Sequence, residues 1–176
     1  HAIELDPEDP FALAVAAHIL SFRGKNPEEA IYLFEKALAL NHNSAFAWGL
    51  SALTLAYLGR PDEANERLQN VWRLNPFDPL NFYFWIVAGI VEFVAGRYQE
   101  AIVWLRKSRR ASPRFLACLR MLAAALAASG DEAGARQVAE ELLANDPTFR
   151  VSNFISWYPL RRPDDLARLK KALLAA

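Results

Sequence analysis

The sequence predicts an all-α chain, a solenoid of helix-turn-helix repeats closed by a C-terminal capping helix, and three observations carry that prediction. The first is the stretch 82–113, FYFWIVAGIVEFVAGRYQEAIVWLRKSRRASP, which places Trp85, Ala88, Gly89, Ala101, Leu105 and Pro113 at the spacing W-x2-small-small, then A-x3-L, then P. Small side chains at Ala88, Gly89 and Ala101 let two antiparallel helices approach closely, while Trp85 and Leu105 fill the space on either side. The second is that the same unit recurs along the chain at intervals of about 34 residues. The third is the punctuation: Asp-Pro and Asn-Pro pairs at helix starts, glycines at the turns between helices.

With 176 residues and 53% hydrophobic content, the chain is long enough to bury a continuous core, and residues 1–176 form a single domain. The formal net charge is zero, so no global field draws the molecule to nucleic acid or an anionic membrane. Charge is unevenly divided: residues 1–88 carry 6 basic and 11 acidic side chains, and residues 89–176 carry the remaining 14 and 9 of the 20 each. The single cysteine, Cys118, excludes an internal disulfide and fits a reducing compartment, the cytoplasm first, although it fits others. The longest apolar run, around Ile86 to Ile90, is stopped by Glu92, so no membrane insertion is expected. The first residue is His1 with no signal-peptide pattern after it, and the chain reads as a fragment of something longer.

Residues 1–9 hold the end of a truncated repeat. Repeat one, 10–43, opens with Asp9 as N-cap and Pro10 at the first helical position; a helix is expected from Pro10 to Arg23, ended by Gly24 in the left-handed conformation. Asn26, Pro27, Glu28 and Glu29 start the second helix with a cap, a fixed φ and two charges suited to the helix dipole, and this helix runs to about Leu40. Repeat two, 44–78, has Trp48, Ala52 and Leu55, a turn at Gly59, then Ala64, Leu68 and Val71. Three extra residues fall within 77–81, and the Asp78–Pro79 signal predicts that repeat three, 79–112, starts its first helix about one turn early. Repeat four, 113–147, carries Leu119, Leu122, Ala123 and Leu126, a turn at Gly130 and Asp131, then Ala135, Ala139 and Leu142. Stacked hairpins share one core and the last needs a cover. Residues 148–176 supply capping helices: a short one with Phe149, Phe154 and Trp157, a break at Pro159 and Pro163, then Leu166, Leu169 and Leu173 opposite Arg168, Lys170 and Lys171. The cap covers repeat four; binding of a membrane or a partner is the alternative.

No catalytic site assembles, and no cofactor or metal is expected. His1, His18 and His42 lie far apart in the repeat register with no cysteine or carboxylate at ligand spacing. Cys118, between Ala117 and Leu119 in a helix, is a small core residue rather than a reactive thiol. Adjacent acidic pairs such as Glu28–Glu29 and Asp62–Glu63 sit in first helical turns, where the dipole accounts for them, and adjacent helical residues do not face each other. The cluster Arg106, Lys107, Arg109, Arg110 and Arg114, with Arg120 nearby, lies on a second helix and reads as a solvated face; nucleic-acid binding would need interleaved aromatics or a basic groove.

The unit 82–113, together with A-x3-F-x2-A at Ala30, Phe34 and Ala37, resembles the tetratricopeptide repeat (TPR) over nearly the whole chain, although the first-helix tyrosine of that family is replaced in every repeat. Residues 2–7, AIELDP, resemble the close of such a repeat's second helix. The resemblance implies a right-handed α-solenoid that acts as a protein-interaction scaffold, with a concave groove lined by recurring first-helix positions. By register these are Phe11, Ala14, His18, Ser21 and Phe22; Phe46, Gly49, Leu53, Ala56 and Tyr57; Tyr83, Ile86, Ile90, Phe93 and Val94; and Ala117, Arg120, Ala124, Ala127 and Ala128. The candidate groove is therefore apolar and aromatic, centred on Phe11, His18, Phe22, Phe46, Leu53, Tyr57, Tyr83, Ile86, Ile90, Phe93 and Arg120. Docking of a chaperone's carboxylate terminus would need Lys, Asn and Arg at these positions and is rejected. A strip this apolar is expected to be covered: by an amphipathic helix of a protein or peptide partner, by a second copy in a homodimer, by a missing part of the same polypeptide, or by its own curvature. Glu92 stands where the family has tyrosine and is expected to pair with a basic side chain such as Arg120. The closing phrase SWYPLRRPDDLARLKKALLAA is similar to the tail that follows TPR arrays in bacterial class III adenylate or guanylate cyclases and TPR-bearing transcriptional regulators, which implies a signalling parent whose catalytic domain lies upstream. Three functions stay open: a regulatory interaction module, a structural oligomerisation unit, and a nucleic-acid-binding helical repeat.

Overall fold

The computed structural model describes residues 8–24 and 26–176, so the reading of residues 2–7 as a repeat end falls outside the described residues. Among the described residues there is no strand. The helices are α1 Pro10–Ile19, α2 Pro27–Leu40, α3 Ala45–Tyr57, α4 Pro61–Leu74, α5 Asn81–Val94, α6 Tyr98–Ala111, α7 Leu116–Ser129, α8 Glu132–Asn145, α9 Val151–Trp157 and α10 Pro163–Ala175. They form a right-handed α-solenoid in which α1/α2, α3/α4, α5/α6 and α7/α8 pair as hairpins, and α10 packs on α7 as the cap.

The starts follow from local chemistry. Asp9 Oδ1 accepts a hydrogen bond from the Phe11 amide (2.8 Å), and Ser44 Oγ accepts from that of Ala47 (3.2 Å). Asn26 and Glu29 cap reciprocally, the Asn26 side chain accepting from Glu29 N and donating to Glu29 Oε2 at 2.5 Å. The stops recur. Gly59, Gly96 and Gly130 adopt φ of 73°, 78° and 89° after α3, α5 and α7. In each case the next amide reaches back five residues, Arg60 to Leu55 O, Arg97 to Glu92 O and Asp131 to Leu126 O, at 2.9–3.0 Å. This double-bonded left-handed stop turns the chain sharply into the second helix of each hairpin.

Two starts and stops differ from expectation. The first helix does not stay α-helical to Arg23; it widens at Leu20–Gly24 into a π-helical turn. The first helix of repeat three does not begin early. Asp78 Oδ1 instead accepts from the Leu80 amide (2.7 Å), and Asn81 Nδ2 donates to Asn75 O (2.9 Å), so the extra residues form a hydrogen-bonded turn and α5 begins at Asn81.

The core runs along the axis of the stack, with a smaller N-terminal cluster around Leu13, Phe34 and Leu50 and a larger one extending from Leu55 to Leu173. Close approach depends on missing Cβ atoms. A Cβ on Gly89 would sit 2.5 Å from Leu105 Cγ, and one on Gly49 would sit 2.1 Å from Phe84 Cε1. Cys118 is fully buried, donates to Leu105 O (3.2 Å), and has its thiol pKa pushed up to about 11, chiefly by burial.

Glu92 is paired, but not with Arg120. Its carboxylate accepts from Asn65 Nδ2 (2.9 Å) and pairs with Arg97, which tie α5 to α4 and to the turn before α6. Arg120, on α7, meets Asp146 at 3.7 Å.

Two substitutions test this packing in urea denaturation. Gly89→Ala should lose stability on balance by about 1–2 kcal/mol, because overpacking against Leu105 outweighs the roughly 1 kcal/mol that alanine gains in helix propensity; an unchanged or raised midpoint would contradict the close approach. Glu92→Gln should cost about 1 kcal/mol, since Arg97 is partly open to water and screened, and should leave partner binding untouched. A loss of binding at full stability would make Glu92 a recognition residue instead.

Candidate functional site

The first helices of the hairpins, α1, α3, α5 and α7, line the concave groove. Eight of the candidate residues, His18, Phe22, Leu53, Tyr57, Tyr83, Ile86, Ile90 and Arg120, converge on one cavity of about 180 Å³. Leu53, Tyr57, Ile86 and Ile90 are buried, the other four half-buried. Phe11 and Phe46 stand outside it as an exposed pair, their rings 5.3 Å apart. Phe93 is not a groove residue: it is 1% exposed and packs on Tyr98 at the start of α6, inside the third hairpin. Its position falls on the side of α5 that faces its own hairpin partner.

What fills the rest of the groove is the C-terminal segment. Trp157 meets Phe22 edge-on at 5.7 Å, Tyr158 meets Tyr57 at 6.0 Å, and the Arg120 guanidinium lies 5.3 Å from the rings of both Phe149 and Phe154. The chain then crosses the C-terminal ends of α3 and α5. The Arg161 amide donates to Tyr57 O (2.9 Å), Arg162 to Gly59 O (3.4 Å) and Arg168 to Val94 O (2.9 Å). These bonds satisfy or approach helix-end carbonyls, and two guanidinium groups sit where the dipole is negative. Asp165, 1% exposed, holds Arg168 at 2.5 Å and Arg162 at 3.8 Å. This covering differs from those expected: the C-terminal segment, read from the sequence as a cap over repeat four, also reaches across the first helices of the groove. Phe154, Trp157 and Tyr158 were legible only as a cap, because they lie outside the repeat register that selects groove positions.

Burial sets the electrostatics. It pushes the Tyr83 phenol up to about 12 and also raises those of Tyr57 and Tyr158, with neighbouring tyrosines adding to the rise for those two, so all three stay neutral donors. It lowers the His18 pKa, so the imidazole is neutral at pH 7. It also lowers that of Arg120, an effect which Asp146 and Tyr158 only oppose.

The basic cluster is a separate surface. Arg106 meets Asp131 at 4.0 Å, Arg109 pairs with Glu141, and Lys107 sits 4.4 Å from the Trp85 ring, while Arg120 faces the groove. Among the described residues no group of three or more His, Cys, Asp or Glu is placed to hold a metal, and no helix is long and apolar enough to cross a membrane.

Two family models described as tetratricopeptide repeat match the chain, one over residues 50–114 and the other over 93–158. Among solved structures the chain is similar to PilW, described as a widely conserved type IV pilus biogenesis factor, at a TM-score of 0.77 and 22% identity, covering 99% of this chain and 75% of that one. At that identity the likeness is one of fold. No curated protein matches.

The tail's contribution is open to a deletion test. Phe154, Leu160, Leu169 and Leu173 are all buried, and each is worth about 1.5–3 kcal/mol. Their sum, about 6–12 kcal/mol, is comparable to the whole stability of a typical domain. A chain ending at Pro147 should therefore lose its cooperative thermal transition and bind an apolar-surface dye; a truncated chain that melts as the intact one does would show the tail to be dispensable.

Proposed function

The chain belongs to the tetratricopeptide-repeat family, and on that premise we propose that it is a non-catalytic protein-interaction scaffold whose partner seats on the half of the groove its own tail leaves open. Tetratricopeptide repeats in general mediate contacts between proteins. The observation that carries the proposal is the distribution of cover. The tail occupies the C-terminal ends of the first helices, whereas Phe11, Phe46, Tyr83 and Phe115, one at each N-terminal end, form an aromatic row beside it. Phe11 is 62% and Phe46 37% exposed, and a hollow of about 370 Å³ between Phe46, Leu80 and Tyr83 continues the row. Exposed aromatic surface of this kind is costly in water at about 25 cal/mol per Å².

The occupant that fits is the apolar face of an amphipathic helix from another protein, with anchors spaced i, i+3, i+4 and i+7 to follow the row. A parent signalling protein of the cyclase type and a cytoplasmic setting are part of the proposal and rest on the resemblance of the closing phrase alone. A second copy is the competing occupant.

Helix-forming peptides selected from a display library against the intact chain separate these readings. Light scattering should give a monomer, selected peptides should carry that spacing, and Phe46→Ala should weaken them about tenfold or more at unchanged melting temperature. Peptides indifferent to Phe46→Ala and Tyr83→Ala would overturn the proposal, as would a dimer that those substitutions dissociate.

A further inference from the structure

Two residues that line the groove cavity each carry a buried nitrogen without a hydrogen-bond partner among the described residues: His18, on α1, at Nδ1, and Arg120, on α7, at Nε. Buried polar atoms in folded proteins are nearly always paired, and an unmet donor is costly to keep. Helices at opposite ends of the solenoid thus place two polar side chains around one otherwise largely apolar space.

The cavity defines the group. Its volume is about 180 Å³, and an apolar cavity of about 150 Å³ is enough to hold benzene. Leu53, Ile86 and Ile90 supply aliphatic wall, and Phe22, Tyr83 and Phe154 supply rings. Among the described residues that line it, Arg120 carries the one formal charge at pH 7. Its carboxylate neighbour, Asp146, is 3.7 Å away, longer than a hydrogen bond, and burial depresses the guanidinium's pKa in spite of it. The cation is thus met by Asp146 beyond hydrogen-bond distance and by the rings of Phe149 and Phe154.

We infer that this cavity is a small-molecule site for a single-ring aromatic carboxylate, the ring held among the aromatic walls and the carboxylate paired with the Arg120 guanidinium, with the His18 imidazole as a second polar contact. Charge assistance makes the Arg–carboxylate contact the specific one, and the walls reward any ring. A neutral ring of the same size fills the space without meeting the guanidinium, and a ring bearing an ammonium group sets two cations together. Occupancy would fix α1 to α7 across the groove, so such an acid is a natural effector of the scaffold. The site stands or falls separately from the protein-partner reading, because it needs neither Phe11 nor Phe46.

Titration of the full chain with phenylacetate, benzyl alcohol and phenethylamine tests it, read by tryptophan fluorescence and by the arginine Nε–H resonances in nuclear magnetic resonance. Phenylacetate should bind saturably, about tenfold or more tighter than benzyl alcohol, with no binding of phenethylamine. One Nε–H signal, the one missing in Arg120→Gln, should shift on binding, and that variant should lose about tenfold or more in affinity. If Arg120→Gln does not fold, Arg120→Lys, which keeps the charge and lacks the Nε–H, identifies the signal, and its shift in the unaltered protein decides. No saturable binding, equal affinity for the three compounds, or unchanged affinity in a folded Arg120→Gln would overturn the assignment.

Discussion

A helical hairpin has more apolar surface than its two helices can hide against each other, and everything in this chain follows from where the excess is hidden. It disappears within and between hairpins, which is possible because Gly89 lets Leu105 reach the helix backbone inside the third hairpin and Gly49 lets Phe84 do so between the second and third. Glycine inside a helix costs about 1 kcal/mol relative to alanine, and here the cost is offset by the burial of the side chain that enters the gap. On the concave side no further repeat can cover the first helices. The C-terminal segment does so instead, and the cap and the groove become one structure.

That union divides the groove by electrostatics as well as by shape. The negative ends of α3 and α5 are met by the Arg161 amide and the Arg162 and Arg168 side chains, with the buried Asp165 holding both guanidinium groups in place. At the opposite, positive ends the same helices begin beside Phe46, Tyr83 and Phe115, and α5 and α7 start without a side-chain cap. In the covered half the helix-end carbonyls are thus met by donors from the tail. The open half presents rings and unmet helix N-termini.

Elements whose cause is local were legible in the amino-acid sequence. Helix α2 begins at Pro27 and ends at Leu40 as expected because a cap, a proline and two acidic residues determine its start within four positions. The repeat register selected residues most of which line one cavity, for a similar reason: one face of a helix is set by spacing alone. Features that depend on tertiary pairing were not legible. Asp78 and Pro79 resemble a helix start, yet the side chains of Asn75 and Asn81 draw that segment into a turn. Glu92 finds Arg97 five residues away rather than Arg120, because the glycine turn at Gly96 folds Arg97 back over α5. Phe93 follows the groove positions in register, but the rotation of α5 needed to bury Ile86 and Ile90 carries it to the other side. The tail's path belongs to no repeat, and no spacing rule could place it.

Whether the tail yields to a partner is decided by magnitudes. Displacing it would expose Phe154, Leu160, Leu169 and Leu173, at about 6–12 kcal/mol by the area estimate, an upper bound because unfolded segments retain some burial. A partner that binds with micromolar affinity has about 8 kcal/mol in total to spend, so most or all of its gain would be consumed in clearing the site. Phe11 and Phe46, by contrast, are uncovered already, and seating a helix on them requires no such exchange. Binding beside the tail is therefore favoured over replacing it. Trp157, which is 44% exposed and touches Phe22 at the boundary, then becomes part of the partner's surface rather than its competitor.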